Sequence, residues 1–109
     1  MAELGRDTPA EAVIDSRTDA TGAPVIAVSG ELDMSNANRL EEVVEDAVAA
    51  GPEKLIFDLR GLRFMDSAGI AVLLRAAGKV AVIELREPSP PVRRVLELTG
   101  LEGVLSVAP

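Results

Sequence analysis

The chain has no cysteine, no histidine, no tryptophan and no tyrosine, and its aromatic content is two phenylalanines, Phe57 and Phe64. Each absence removes a class of chemistry. Without cysteine there is no disulfide, no thiolate nucleophile and no Cys/His zinc site, a usage that fits the cytosol without defining the redox compartment. Without histidine no Ser-His-Asp triad can be assembled. No apolar run approaches the ~20 residues needed to span a bilayer. Positive charge is also short: 11 Lys and Arg stand against 18 Asp and Glu, a net charge of −7. Nucleic-acid modules need a basic face and usually stacking aromatics, so direct DNA or RNA binding is not expected. The stretch Met1 to Pro9 is charged and lacks the apolar core of a signal peptide, so the protein is expected to be soluble, cytoplasmic and free of membrane contact.

What is present is the pattern of one α/β domain. A chain of 109 residues supports a single modest core, burying roughly 60 to 70% of its unfolded surface. Residues 1–10 mix charge, Gly5 and Pro9 without periodicity and are expected to be a mobile lead-in to a domain over 11–109. Ala12 to Thr18 alternates, Pro24 to Ser29 is apolar and β-branched, and Asp19-Ala20-Thr21-Gly22 between them is turn material, which predicts a hairpin. Asn36 is placed to cap a helix in which Leu40, Val43, Val44, Ala47 and Val48 recur until Gly51-Pro52. The acidic pairs Glu41-Glu42 and Glu45-Asp46 are read as its solvated face. Lys54 to Leu59 predicts a strand, followed by a loop and a second helix from about Ser67 to Gly78.

In that second helix Ile70, Leu73, Leu74 and Ala77 form one stripe, assigned to the core, while Ala68, Ala71 and Val72 lie opposite with Arg75 as the polar member. An apolar outer face of this kind predicts a partner surface. Val80 to Leu85 predicts a further strand, and Pro88-Ser89-Pro90-Pro91 breaks the chain before a helix with Val92, Val95, Leu96 and Thr99 inward and Gly100 as its C-cap. Val104 to Val107 predicts a last short strand. The order β-β-α-β-α-β-α-β implies an α/β fold with a mixed sheet, an N-terminal hairpin plus parallel strands packed with helices.

Ser67 is the candidate functional residue, because a serine at a helix start sits beside unpaired N–H groups and the positive end of the dipole. Such a corner suits a phosphate, bound or attached. Taken alone, the tetrapeptide Asp-Ser-Ala-Gly favours reading Ser67 as a helix N-cap worth about 1 kcal/mol, a preference that the flanking sequence blocks reverse. Asp66 could favour the dipole, and Asp33 could turn the chain before Asn36. Catalysis is not expected: the serine block has no lysine to act as base, Asp-Ser-Ala-Gly lacks the pattern of a nucleophile elbow, and there is no P-loop. No cofactor and no metal site are predicted.

Three blocks occur together in this chain: Gly30-Glu31-Leu32-Asp33, Phe64-Met65-Asp66-Ser67-Ala68-Gly69, and Pro88 to Leu101. Over about residues 11 to 107 the sequence resembles the STAS domain, in its bacterial anti-sigma factor antagonist branch. The resemblance implies a non-enzymatic, partner-switching regulator of transcription that binds an anti-sigma factor and so frees a sigma factor. It implies that the anti-sigma factor is also a serine kinase, that Ser67 is its phosphorylation site and that a serine phosphatase restores the active form. Asp33 and Asp66 match family positions beside that serine, and the partner surface is expected to comprise Asp33, Asp66, Ser67, Ala68, Ala71, Val72 and Arg75. The family also includes scaffold and sensor modules of stress-signalling assemblies, which is the alternative. Family members usually have a second helix about two turns longer than the one ending at Gly78, and many add a C-terminal helix.

Overall fold

A computed structural model describes residues 11–101 and the backbone of residues 106–108. The expected lead-in over 1–10 lies outside the described residues. The chain opens with β1 (Ala12–Thr18) and β2 (Pro24–Leu32), paired antiparallel from Ala12↔Gly30 to Thr18↔Pro24. Asp19 closes the turn between them: its Oδ1 accepts from the Thr21 hydroxyl at 2.6 Å and the Thr21 N–H at 2.8 Å. α1 (Ala37–Val48) returns the chain to β3 (Lys54–Asp58), and α2 (Ser67–Ala77) leads to β5 (Val82–Arg86). α3 (Pro90–Thr99) then leads to β6 (Ser106–Ala108). The sheet order is β1-β2-β3-β5-β6, with every pair after the hairpin parallel. This is the expected mixed α/β architecture.

Register separates the two faces of the sheet. Ile26 pairs with Phe57 and Phe57 with Leu85, while Leu55 pairs with Ile83. These side chains share one buried cluster with Leu40 and Val44 of α1, Ile70, Val72, Leu73 and Ala76 of α2, and Val92 and Leu96 of α3. The alternate residues carry charge beside the buried Val25 and Ile56. Lys54 pairs with Glu84 at 2.6 Å, Arg17 with Asp58 at 3.7 Å and Arg86 with Asp19 at 3.8 Å.

One strand was absent from the expected order. β4 (Leu62–Met65) pairs parallel with the last residues of β2, Leu32 opposite Met65, where a loop was expected. Its four residues are too short and too mixed to signal a strand, since Arg63 and Phe64 are both exposed. Pairing with β2 makes it one. β2 itself runs three residues past the expected end at Ser29, through Gly30 at φ 90°, where a Cβ would collide with the Glu11 carbonyl. β5 starts at Val82 rather than Val80.

One helix detail also differs. Thr99 is exposed rather than inward, and its hydroxyl donates back to the Val95 and Leu96 carbonyls at 2.9 and 3.1 Å. Gly100 does cap α3, in the left-handed conformation at φ 74°.

Candidate functional site

The site is built where β2 and β4 end side by side. Leu32 pairs with Met65, and the Asp66 N–H donates to the Leu32 carbonyl at 3.1 Å, so Asp33 and Asp66 leave neighbouring strands at the same level. Carboxyl ends of parallel strands are the usual place for sites in open α/β sheets. Thirty-odd residues of sequence separate the two aspartates, and only the parallel pairing brings them together.

Each aspartate folds its own loop. The Asp66 carboxylate accepts from the Ala68 N–H at 2.8 Å and is the N-cap of α2, so the expectation that Ser67 begins the helix holds but its capping role does not. Aspartate caps through a carboxylate oxygen two residues upstream of the donor, which leaves Ser67 at the first helical position, exposed and unused by the cap. Asp33 accepts from the Ser35 hydroxyl at 2.6 Å and the Ser35 N–H at 2.9 Å. Those two hydrogen bonds hold its carboxyl below the usual aspartate range against a small opposing effect of desolvation, so Asp33 is anionic at neutral pH.

Asn36 stands at the N-cap of α1 but does not cap it. Its side chain is buried and turns back, donating to the Glu31 carbonyl at 3.0 Å and accepting from the Asp33 N–H at 3.0 Å. It thus stitches the β2–α1 loop into a fixed shape beside Ser67.

The outer face of α2 differs from expectation in one of its two turns. Ala68 and Ala71 are half-buried and lie toward the surface, as expected. Val72 is 1% exposed and belongs to the core, while Leu74, assigned to the core, is 42% exposed. The reason is phase. Gly69, Val72, Leu73 and Ala76 are also spaced as a helical stripe, and in a helix that is apolar nearly all round, periodicity cannot choose between two adjacent stripes. Packing against α1 and the sheet selects the second.

Arg75 is also not a free outer-face cation. Its guanidinium makes a bidentate pair with Glu41 of α1, Nε lying 3.1 and 2.9 Å from the two carboxylate oxygens, and the pair holds the Glu41 carboxyl below its ordinary range despite some desolvation. Glu41 is therefore more than part of a solvated face, and Glu45 likewise approaches Lys79 at 3.9 Å.

Sequence reasoning missed three exposed apolar residues on the loop, strand and helix that carry the site. Met34 is 81% exposed in the β2–α1 loop, Phe64 is 47% exposed on β4, and Leu74 adds the outer side of α2. Exposed apolar side chains of this size are candidates for a contact surface. Methionine between Asp33 and Ser35 in a turn was the available signal, because a turn gives a large apolar side chain nothing to pack on. Among the described residues no group of His, Cys, Asp and Glu is arranged to hold a metal ion. No helix among them is long and apolar enough to cross a membrane.

An α/β domain with one exposed serine at the start of a helix, flanked by two strand-end aspartates, defines a class. The family model described as "Mlab, STAS domain" matches residues 16–107, and the chain belongs to the STAS domain family. It is similar to the anti-sigma F factor antagonist of Paenibacillus polymyxa, 29% identical over 94 residues that cover 79% of this chain and 78% of that one. The crystal structure of an anti-sigma factor antagonist from Mycobacterium paratuberculosis superposes with a TM-score of 0.80 at 30% identity, covering 93% of this chain and 86% of that chain. The anti-sigma factor antagonist SpoIIAA in its unphosphorylated form gives a TM-score of 0.76 at 25% identity, with 89% of each chain covered.

Proposed function

We propose that this protein is an anti-sigma factor antagonist switched by phosphorylation at Ser67. It binds an anti-sigma factor and so releases a sigma factor for transcription, and it acts in the cytoplasm as a regulator rather than an enzyme. The observation that carries this reading is the placement of Ser67: exposed, next to the capping Asp66 and level with Asp33, with Met34, Phe64 and Leu74 exposed on the adjoining loop, strand and helix. The names of its relatives supply the partner class.

The contact surface comprises Asp33, Asp66, Ser67, Ala68 and Ala71, joined by Met34, Phe64 and Leu74. Val72 supports it from beneath, and Arg75 is its edge, tied to Glu41. A serine kinase, the anti-sigma factor itself, adds about −1.5 to −2 charges to Ser67 between two carboxylates. Charge and bulk at the centre of an apolar contact expel the partner, and a serine phosphatase resets the switch. Because Ser67 serves neither the cap nor the core, modification leaves the fold intact.

The test is to capture the partner from the native cell with unmodified and phosphorylated protein and identify it by mass spectrometry. Wild type and Ser67→Ala are then incubated with that partner and ATP, the phosphosite is mapped, and binding is measured before and after. Wild type should be phosphorylated at Ser67 and lose affinity, while Ser67→Ala should bind and resist the kinase. Phosphate on another residue, or equal affinity of the two forms, would overturn the proposal.

A further inference from the structure

Gly69 lies in the first turn of α2, two residues after Ser67, and is buried. A Cβ built on it would stand 2.6 Å from Met65 Cγ, 2.8 Å from Leu32 Cδ2 and 3.1 Å from Met65 Sδ, the first two closer than real Cβ contacts come. Leu32 and Met65 are the last residues of β2 and β4, each 1% exposed, and they directly precede Asp33 and Asp66. The first turn of α2 therefore rests on the ends of both site strands with no side chain between. Ser67 is held on one side by the Asp66 N–H bond to the Leu32 carbonyl and on the other by the seat of Gly69.

We infer that Gly69 is the positioning residue for Ser67, and that its missing side chain sets the height of the serine hydroxyl relative to the Asp33–Met34 loop. A methyl group at residue 69 must lift the first turn or push Leu32 and Met65 aside. Either movement shifts Ser67 against Asp33. Close packing makes this costly to absorb locally, because both neighbours are enclosed in the core. The inference rests on Ser67 being the phosphoacceptor. In that reaction Ser67 Oγ bonds to the γ-phosphorus of a nucleoside triphosphate and the bond from that phosphorus to the β,γ-bridging oxygen breaks. The hydroxyl proton passes to a base on the kinase or to water, and a nucleoside diphosphate leaves. A nucleophile displaced by a fraction of an ångström to an ångström loses rate rather than affinity.

The test compares wild type, Gly69→Ala, Met65→Ala and the double variant Gly69→Ala/Met65→Ala, using ATP and the kinase captured by the wild-type protein. Helix propensity alone favours alanine at position 69, so any loss must come from the contact. Gly69→Ala should lower kcat for Ser67 phosphorylation about 10- to 100-fold with KM changed less than about threefold. In the double variant Met65 Cγ and Sδ are gone, and Leu32 Cδ2, the remaining contact at 2.8 Å, can turn into the space they leave, so most of the kcat of Met65→Ala should return. In the unmodified proteins the amide NMR signals of Ser67 and Met34 should move in Gly69→Ala and return in the double variant, while those of β1 stay in place.

Wild-type kcat in Gly69→Ala, or a double variant ten times slower than Met65→Ala, would overturn the inference. If Gly69→Ala does not fold, the comparison of the double variant with Met65→Ala decides it. If wild type itself is not phosphorylated at Ser67, the functional reading fails instead. The NMR comparison alone then decides positioning, and unmoved Ser67 and Met34 signals count against it.

Discussion

Asp66 and Ser67 are consecutive, both polar and both at the start of α2, yet they answer to different constraints. Asp66 satisfies the Ala68 N–H and so belongs to the fold, whereas Ser67 is exposed and belongs to the surface. Asp66→Ala should therefore cost about 1 kcal/mol of stability, the usual value of a lost cap. Ser67→Ala should change it by less than about 0.5 kcal/mol, as expected of a surface site. Urea denaturation of the two variants measures both, and a larger loss for Ser67→Ala would return the capping role to the serine. Ser67→Asp should weaken partner binding only partly, since one carboxylate carries less charge than a phosphate.

At the scale of the element, α2 turns one apolar face to the core and another to water, and their boundary falls between adjacent residues. Leu73 fills the core and Leu74 meets water. Leu73→Ala should cost about 2 to 5 kcal/mol by cavity formation. Val72→Glu should unfold the domain, because the carboxylate would be buried without a partner. Ala71→Glu and Leu74→Ala should leave the melting temperature nearly unchanged and weaken partner binding, since they alter only the outer contact. Calorimetry for stability and surface plasmon resonance for affinity separate these outcomes. Loss of stability alike in all four variants would remove the distinction between the faces. Arg75→Ala and Glu41→Ala should each have a small effect on stability, as exposed ion pairs do.

At the scale of the whole molecule, ion pairs stand on both sides of the sheet: Arg75–Glu41 and Lys79–Glu45 on the helices, and on the opposite face a lattice drawn from Arg17, Asp19, Lys54, Asp58, Glu84 and Arg86. Asp58 is the buried member of that lattice, 8% exposed at the end of β3. Burial raises its carboxyl pKa, but the Arg60 N–H and guanidinium, with Arg17 nearby, outweigh burial and hold it below the ordinary 3.8. A carboxyl whose folded pKa is depressed contributes stability in full above its unfolded value, and loses it as pH falls through the folded value. Asp58 should therefore support the fold in full at neutral pH and lose that support progressively as the pH falls below about 3.8 and through its lower folded value. Asp58→Asn should be less stable than wild type at pH 7, with the difference shrinking in acid denaturation below that point. A difference independent of pH would assign the loss to packing instead.

Local signals were enough to specify the hairpin, the α1 stripe, the Gly100 cap and the start of α2 near Ser67, because each depends on neighbours within about one turn or one strand pair. The absence of histidine, cysteine and basic surface likewise limited the chemistry before any fold was known. Ser67 and the two aspartates were legible as members of sequence blocks. Their meeting was not, because it depends on β4 pairing with the end of β2, and β4 is too short to declare itself. The face of α2 was undecided for a related reason. Two overlapping apolar stripes satisfy the same period, and only the burial of Val72 against α1 and the sheet breaks the tie. The role of Gly69 needed still more, since a missing side chain leaves no local pattern and acquires meaning only when Leu32 and Met65 arrive beneath it.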